Sequence, residues 1–546
     1  MKRHAILNAF MSLLVMPVAA FSFLVLLTSR TVFAQNAPFS PEYEGLFLAP
    51  SSDIPIGNID LDASTSPYDI PLNIDDDSPI GSLALPSSPS SRMTLLDADL
   101  LLDQGVDQYR ADQLQAALQS WNRALELYQS PEIQREIPQD SLLGIAWASG
   151  NLGFAYWSLE QYEQAIEAFE RSLALLQDVG EPWEEDNVLG SLGLLYAELG
   201  QYERAIAFHE QRLAIARERD DAIGEEKALV NLGNAYWGLG QYEQAIEFYE
   251  QSLIVVRGSN EPLEEGDTLT NLGDAYADLA RYEQAIDAYE QSLAIFREVK
   301  DSWGEGVALN NLGLVYSDLS QYQQAIEFYE QSLAIAHETD DRRGEGIALG
   351  NLGDAYNSLG QYQQAIGFQE QYLAIALEIG NRQGEGIALG NLGNVHTNLG
   401  QYQQAIEFHG QNLDIAREIG DRRGEGYALN NLGNAYSSLD QYQQAIELYE
   451  QSLAVAREIG NLAGEGLALG NLGNTYWSLG QYEQAVNFTE QQLVIVRGIG
   501  DRAGEGRALG NLGNVYFSLG NYQQAIDLYE QYLAIAREIG DRAEEG

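Results

Sequence analysis

The sequence predicts an all-α protein, a solenoid of tandem helix-turn-helix repeats. Three observations carry that prediction. Asn-Leu-Gly recurs at 151, 231, 271, 311, 351, 391, 431, 471 and 511, with Ser-Leu-Gly at 191, so one unit returns every 40 residues without an insertion. Within each unit the apolar residues fall in two successive stretches at helical spacing. A composition 45% hydrophobic and 10% aromatic supplies a core that such units share only by stacking on their neighbours.

From the amino terminus, Lys2, Arg3 and His4 precede an apolar run from about Ala9 to Leu27, and Val32-Phe33-Ala34 then offers small or tolerated residues where a signal peptidase inspects. Residues 1–34 read as a secretory signal cleaved near Ala34, with an uncleaved membrane anchor as the alternative. Either reading puts the remainder outside the cytoplasm, periplasmic or secreted. Residues 35–96 read as a disordered tether. Nine of the 14 prolines fall between Gln35 and Arg92, among Ser, Asp and Gly and without an apolar period. Asp60, Asp62 and Asp75 to Asp77 lack the glycine turn and closing glutamate of a calcium loop and read as solvated charge.

Residues 97–140 form a divergent first unit, in which Gly105, Leu114, Ala117, Trp121, Ala124 and Leu125 keep the repeat spacing before a longer loop with Pro131 and Pro138. Ten regular units fill 141–546. In the unit around Asn311, Leu309, Leu312, Tyr316 and Leu319 share one helix face. Tyr322, Ala325, Ile326, Tyr329, Leu333 and Ala336 share another. Position 320 is glycine in most copies, as at Gly360 and Gly400, and supplies the turn between the pair. Ile419-Gly420-Asp421 and its kin end one helix and cap the next. Gly313 sits mid-helix, at a cost of roughly 1 kcal/mol in helix propensity. That cost implies a close crossing, which the spacing assigns to Ala325.

These residues resemble the tetratricopeptide repeat. Leu232, Gly233, Tyr236, Tyr242, Ala245, Tyr249, Ser252 and Leu253 take its signature places in one copy, and the likeness runs from 97 to about 540. The unit is longer than the usual repeat and replaces its closing proline with a linker such as Gly420 to Gly426. This longer form is similar to repeats of Pins-type polarity adaptors and of bacterial, notably cyanobacterial, arrays. The resemblance implies a right-handed α-solenoid whose first helices line a concave wall that binds extended peptides.

On that wall three rows form the candidate site. The first is Asn231, Asn271, Asn311, Asn351, Asn391, Asn431, Asn471 and Asn511. The second, three residues on, is Asn234, Asn394, Asn434, Asn474 and Asn514, varied by Phe154, Leu194, Asp274, Leu314 and Asp354. An amide donates and accepts, so a row of amides can pair with a peptide backbone; alternatively each ties its own stack together. In the second row ligand contact is the favoured reading, because variation suits positions on which nothing internal depends. The third row sets Trp157, Trp237, Trp477 and Phe517 against Ala197, Ala277, Ser317, Asn357, Thr397 and Ser437, as sticky patches or as packing between units. Gly150, Gly190, Val230, Thr270, Asn310 and Gly350 stand where a carboxylate clamp would need lysine, so that mode is rejected.

With 81 Asp and Glu against 29 Lys and Arg, the formal charge of -52 argues against nucleic acid and points to a basic or polar protein segment; no integral-membrane partner is implied. The absence of cysteine excludes thiolate metal sites, and no cofactor or metal site is expected. No catalytic group is expected either. His4, His209, His337, His396 and His409 are scattered and read as surface substitutions, and Gly304-Glu305-Gly306 lacks the strand and spacing of a nucleotide loop. Glutamates read as solvent-facing partners of arginines three or four residues away. The function expected is therefore a non-enzymatic protein-interaction scaffold. The alternative is a regulatory or sensor arm for a CHAT-type protease-like domain absent from this chain. Asp541 to Gly546 begins a further unit without a polar capping helix, which raises self-association through the last repeat as an expectation.

Overall fold

Each 40-residue unit becomes a pair of antiparallel helices, because the turn between them is built from local bonds. At Gly360 the backbone is left-handed, with φ of 69°, and the amide of Gln361 reaches back to the Tyr356 carbonyl at 2.8 Å, which closes the helix end. At the junction between one pair and the next, Asp421 accepts from the Gly424 amide at 2.8 Å and caps the following helix, as expected. The computed structural model describes residues 88–180, 182–259 and 261–540, and among them there are 23 helices and no strand. The expected leader, nearly all of the expected tether and residues 541–546 lie outside the described residues. No helix among the described residues is long and apolar enough to cross a membrane.

The described chain divides into two compact units, one ending at Glu264 and the other starting at Glu265. The first opens with the helix Pro89–Arg110, capped by Ser88, so helix begins eight residues ahead of the expected tether boundary. It pairs with Leu114–Tyr128. Trp121 is fully buried, its Nε1 donating to the Leu102 carbonyl at 3.1 Å, and its ring covers Gly105. The loop expected around Pro131 contains a short helix, Pro131–Glu136, because proline suits a first helical position. The pairs Pro138–Ser158 with Tyr162–Val179, Pro182–Glu198 with Tyr202–Glu218, and Ala222–Gly238 with Tyr242–Ser259 follow.

The second unit repeats the pair from Pro262–Asp278 with Tyr282–Val299 to Arg502–Ser518 with Tyr522–Ile539. Gly313 permits the close crossing, but its partner is Tyr329 and not Ala325. A Cβ on Gly313 would lie 2.4 Å from Tyr329 Cε1. Tyr329 stands one turn beyond Ala325 on the same face, and its flat ring requires the missing Cβ. Stacked rings add a second seam: Tyr316 with Phe328 at 5.3 Å and His396 with Phe408 at 5.2 Å.

Two expectations are corrected. His209 and His409 are buried, at 1% exposure each, because they take the tyrosine's place over Gly193 and Gly393, and His396 is buried where it stacks on Phe408. Burial lowers the pKa values of His209 and His409 to about 3 and about 4, Arg212 adding to the effect at His209. The glutamates pair with arginines three, eight and thirty-six residues away. Arg382 bridges Glu385 and Glu418, and Arg417 Nε meets Glu425 Oε1 at 2.8 Å. Glu345, Glu425 and Glu505 in these pairs are buried, not solvent-facing.

Candidate functional site

The first helix of each unit presents its asparagines toward the preceding unit. Asn391 Nδ2 donates to Asp354 Oδ2 at 3.1 Å, and Asn431 Nδ2 to Asn394 Oδ1 at 3.3 Å. Asn311 donates to Asp274, Asn351 to Asn310, and Asn471 to both Asn430 and Asn434. The acceptors stand 37 or 41 residues back. Asn231 looks back to Leu194 and Gly190, which offer no side-chain acceptor, and its Nδ2 is buried without a partner. Asn271 is buried, and Asn431 and Asn511 are half-buried.

The second row serves the second helix of its own unit. Tyr249 donates to Asn234 at 2.7 Å, Tyr449 to Asn434 at 2.8 Å, Tyr529 to Asn514 at 2.8 Å, and Gln369 Nε2 to Asp354 Oδ1 at 2.9 Å. Its variation follows that partner only in part, since Tyr329 faces Leu314 where Tyr249 faces Asn234. Where the second helix carries Phe169, the row carries Phe154, and the two rings meet edge to face at 5.0 Å. Asp354 is enclosed, and burial holds its carboxyl well above the usual range, with the amides of Asn391 and Gln369 offsetting this only in part. Asn474 is half-buried.

The third row ties forward. Trp157 Nε1 donates to Glu198 at 2.5 Å and Trp477 Nε1 to Ser518 at 3.0 Å, each 41 residues on, while Asn357 accepts from Asn398 at 3.0 Å. Trp157 and Trp237 are buried at 8% exposure, whereas Trp477 at 41% and Phe517 at 58% are open to solvent.

One cleft in the second unit gathers several of these residues. It lies between the helices Arg382–Asn398, Tyr402–Glu418 and Arg422–Ser438. Gln383, Asn391, Asn394, Asn412 and Asn431 bring five side-chain amides to its walls, with Ile387 and Tyr427 beside them and Gly386 and Gly390 at its floor. Asn412 Nδ2 donates to the Gly386 carbonyl at 2.9 Å. Asp421 and Arg423 also line it, but most of its polar groups are amides that donate and accept beside apolar neighbours, which suits the amide groups and side chains of a polypeptide. In the first unit the corresponding place is taken by a buried ion pair, Arg212 Nε to Asp186 Oδ2 at 3.2 Å.

Ile387 and Tyr427 belong to a row of which sequence reasoning sees only Val307, in one copy. Four residues before each ladder position stand Trp147, Asn187, Lys227, Asp267, Val307, Ile347, Ile387, Tyr427, Leu467 and Arg507. Comparing this column across units, rather than reading one helix along its length, would have found it.

A family model described as tetratricopeptide repeat matches residues 144–218, 225–298, 305–378, 385–458 and 465–538. Each match spans two units. No curated protein matches the chain. Among solved structures, a Rap protein complexed with competence and sporulation factor is similar at 16% identity and a TM-score of 0.45, over 66% of this chain and 99% of that one. The apo form of the quorum sensor NprR from B. thuringiensis is similar at 15% identity and a TM-score of 0.45, over 66% and 99%. The nearly identical repeats of a putative kinesin light chain from Podospora anserina are 23% identical, with a TM-score of 0.32, over 36% of this chain and 96% of that one. The family model covers well over half of the sequence, and this chain belongs to the tetratricopeptide repeat family, whose stacked helix pairs are scaffolds for protein interaction.

Proposed function

We propose that the protein is a non-enzymatic scaffold that binds an extended polypeptide segment along its first helices, with the cleft between Gln383 and Asn431 as its strongest subsite. The observation that supports this reading is the convergence of five side-chain amides on one opening, beside Ile387 and Tyr427. Amides of this kind pair with any backbone, so affinity comes from the main chain and selectivity from the neighbours. The acidity of the chain steers a basic partner toward it without supplying most of the affinity, since exposed charges are screened over about 8 Å at physiological salt. The apolar run from Ala9 to Leu27 supports an extracytoplasmic location.

The test is hydrogen exchange on the full chain, with and without a binding segment selected from a displayed peptide library. Binding should slow exchange in the helices Arg382–Asn398 and Arg422–Ser438. A binder that instead protects only the second helices would overturn the groove reading.

A further inference from the structure

We propose that Ile254 with Gly258, and Val494 with Gly498, form two copies of one docking site, each for an aromatic side chain carried by a basic segment of a partner. The site lies apart from the cleft. Asp414 holds the place of Ile254 and Val494 on a helix that borders the cleft, and it is not among the residues that line it. In every regular unit this place faces solvent, and alanine fills it in seven of ten. Ile254 and Val494 are 74% and 70% exposed, more than any other large apolar side chain among the described residues. One turn on, where eight units carry an acidic residue, only these two carry glycine. Neither glycine has the left-handed backbone of a helix end, and a Cβ on either would meet nothing within 4 Å. A β-branched residue and a glycine both cost helix propensity against alanine and glutamate, and no internal packing returns that cost here.

Each glycine opens the seat of an ion pair. In four units an arginine at the first helical position bridges to the glutamate in the glycine's place, as Arg382 does to Glu418 and Arg422 to Glu458. At the two sites both partners are gone together, Ala222 standing with Gly258 and Leu462 with Gly498. Pro182, Pro262 and Ser302 also replace that arginine, but their units keep the glutamate. The two sites are built alike in a further respect: Arg217 Nη2 donates to Gln251 and Arg457 Nη2 to Gln491, each at 3.4 Å. Within this chain a bare helical glycine is covered by a flat ring, as Tyr329 covers Gly313, so a ring is the guest that such a surface fits. Glu250 and Glu490 stand one turn before the exposed apolar side chain, on the same face. Of the arginines three residues after it, Arg497 is bound to Glu505 at 2.7 Å and Arg257 is engaged as well. The charge left to the guest is therefore acidic, and lysine or arginine beside the ring complements it.

The experiment uses the full chain with isoleucine and valine methyl groups labelled, titrated with blocked dipeptides and read by methyl NMR at low salt. Acetyl-Lys-Trp-amide should move the Ile254 and Val494 methyls by ring-current shifts that saturate, and move other exposed methyls little. Acetyl-Lys-Ala-amide should bind about tenfold more weakly, the factor that about 60 Å² of apolar surface supplies, and acetyl-Glu-Trp-amide should also bind more weakly. Ala222→Arg with Gly258→Glu, and Leu462→Arg with Gly498→Glu, reinstate the ion pair of the other units. They should weaken acetyl-Lys-Trp-amide about tenfold at an unchanged circular-dichroism spectrum. Gly258→Ala with Gly498→Ala, which leaves the charge unchanged, should act in the same direction. Shifts spread evenly over the exposed methyls, binding at one site alone, equal affinity for the alanine peptide, tighter binding of the glutamate peptide, or undiminished affinity in the variants overturns the assignment. Methyl shifts that depend on protein concentration without any peptide make a second copy the occupant and overturn it too. None of these outcomes touches the cleft, whose own test is the protection of Arg382–Asn398.

Discussion

Asn412 occupies the space that a side chain at Gly390 would need, for a Cβ there would lie 2.3 Å from Asn412 Nδ2. The neighbouring unit solves the same packing in reverse. Asn430 stands in the glycine's place and Ser452 in that of Asn412, with Ser452 Oγ reaching the Gly426 carbonyl at 2.8 Å. Gly350 with Tyr372 and Gly470 with Gln492 follow the first arrangement; Thr270 with Ser292 and Asn310 with Ser332 follow the second.

An exchange of volumes tests this directly. Gly390→Asn alone overfills the crossing and should destabilise the array by about 1–3 kcal/mol. Gly390→Asn with Asn412→Ser should recover most of that loss, since serine keeps the bond to the residue 386 carbonyl. Denaturant midpoints of the two variants decide the matter, and a double variant no more stable than the single one would refute the pairing.

Asp354 should make stability fall as pH rises. Its folded pKa lies above the unfolded one, so between the two values the folded chain holds the proton more tightly and loses stability with increasing pH. Asp354→Asn should raise the thermal midpoint at neutral pH and flatten that limb. Gln369 can turn over to accept from the new amide, because its Oε1 is buried without a partner. Midpoints measured across the titration window check the slope.

His409 acts in the opposite direction. Its pKa falls to about 4 on burial, so stability is lost as pH drops from the ordinary imidazole value near 6.5 toward 4. The full difference corresponds to about 3 kcal/mol. His409→Tyr, the residue found at Tyr449, should remove this acid sensitivity and give Asn394 a phenolic donor, as Tyr449 gives Asn434 at 2.8 Å. Acid denaturation that stays unchanged in the variant would count against the assignment.

The two first-row asparagines of the cleft should differ in worth. Asn391→Ala leaves a buried carboxylate short of a donor and should cost about 1–3 kcal/mol, whereas Asn431→Ala gives up a 3.3 Å bond between amides and should cost about 1 kcal/mol. Chemical denaturation of the two variants, side by side, gives the order.

The fold was legible because the period of 40 fixes helix, turn and cap together, and Gly420 and Asp421 act as read. The partners inside each pair were less legible. Ala325 looked like the natural neighbour of Gly313 because it is small, yet a flat ring one turn away fills the gap better. The second row looked variable and therefore free. Its residues are in fact engaged by Phe169, Gln369 and Tyr449, which only the folded pair brings beside them. The convergence of Asn412 with Asn391 and Asn431 joins three different helices, and nothing in the local pattern of any one of them announces it.

Because the bulk removed at one position of a pair is restored at the other within the same forty residues, each hairpin is a self-contained cassette. Whole cassettes can be duplicated, deleted or shuffled without a compensating change next door. The ties between cassettes tolerate mismatch, as Asn231 shows by packing tightly without any acceptor for its amide. An array organised this way can lengthen its recognition surface one unit at a time while keeping each interior intact.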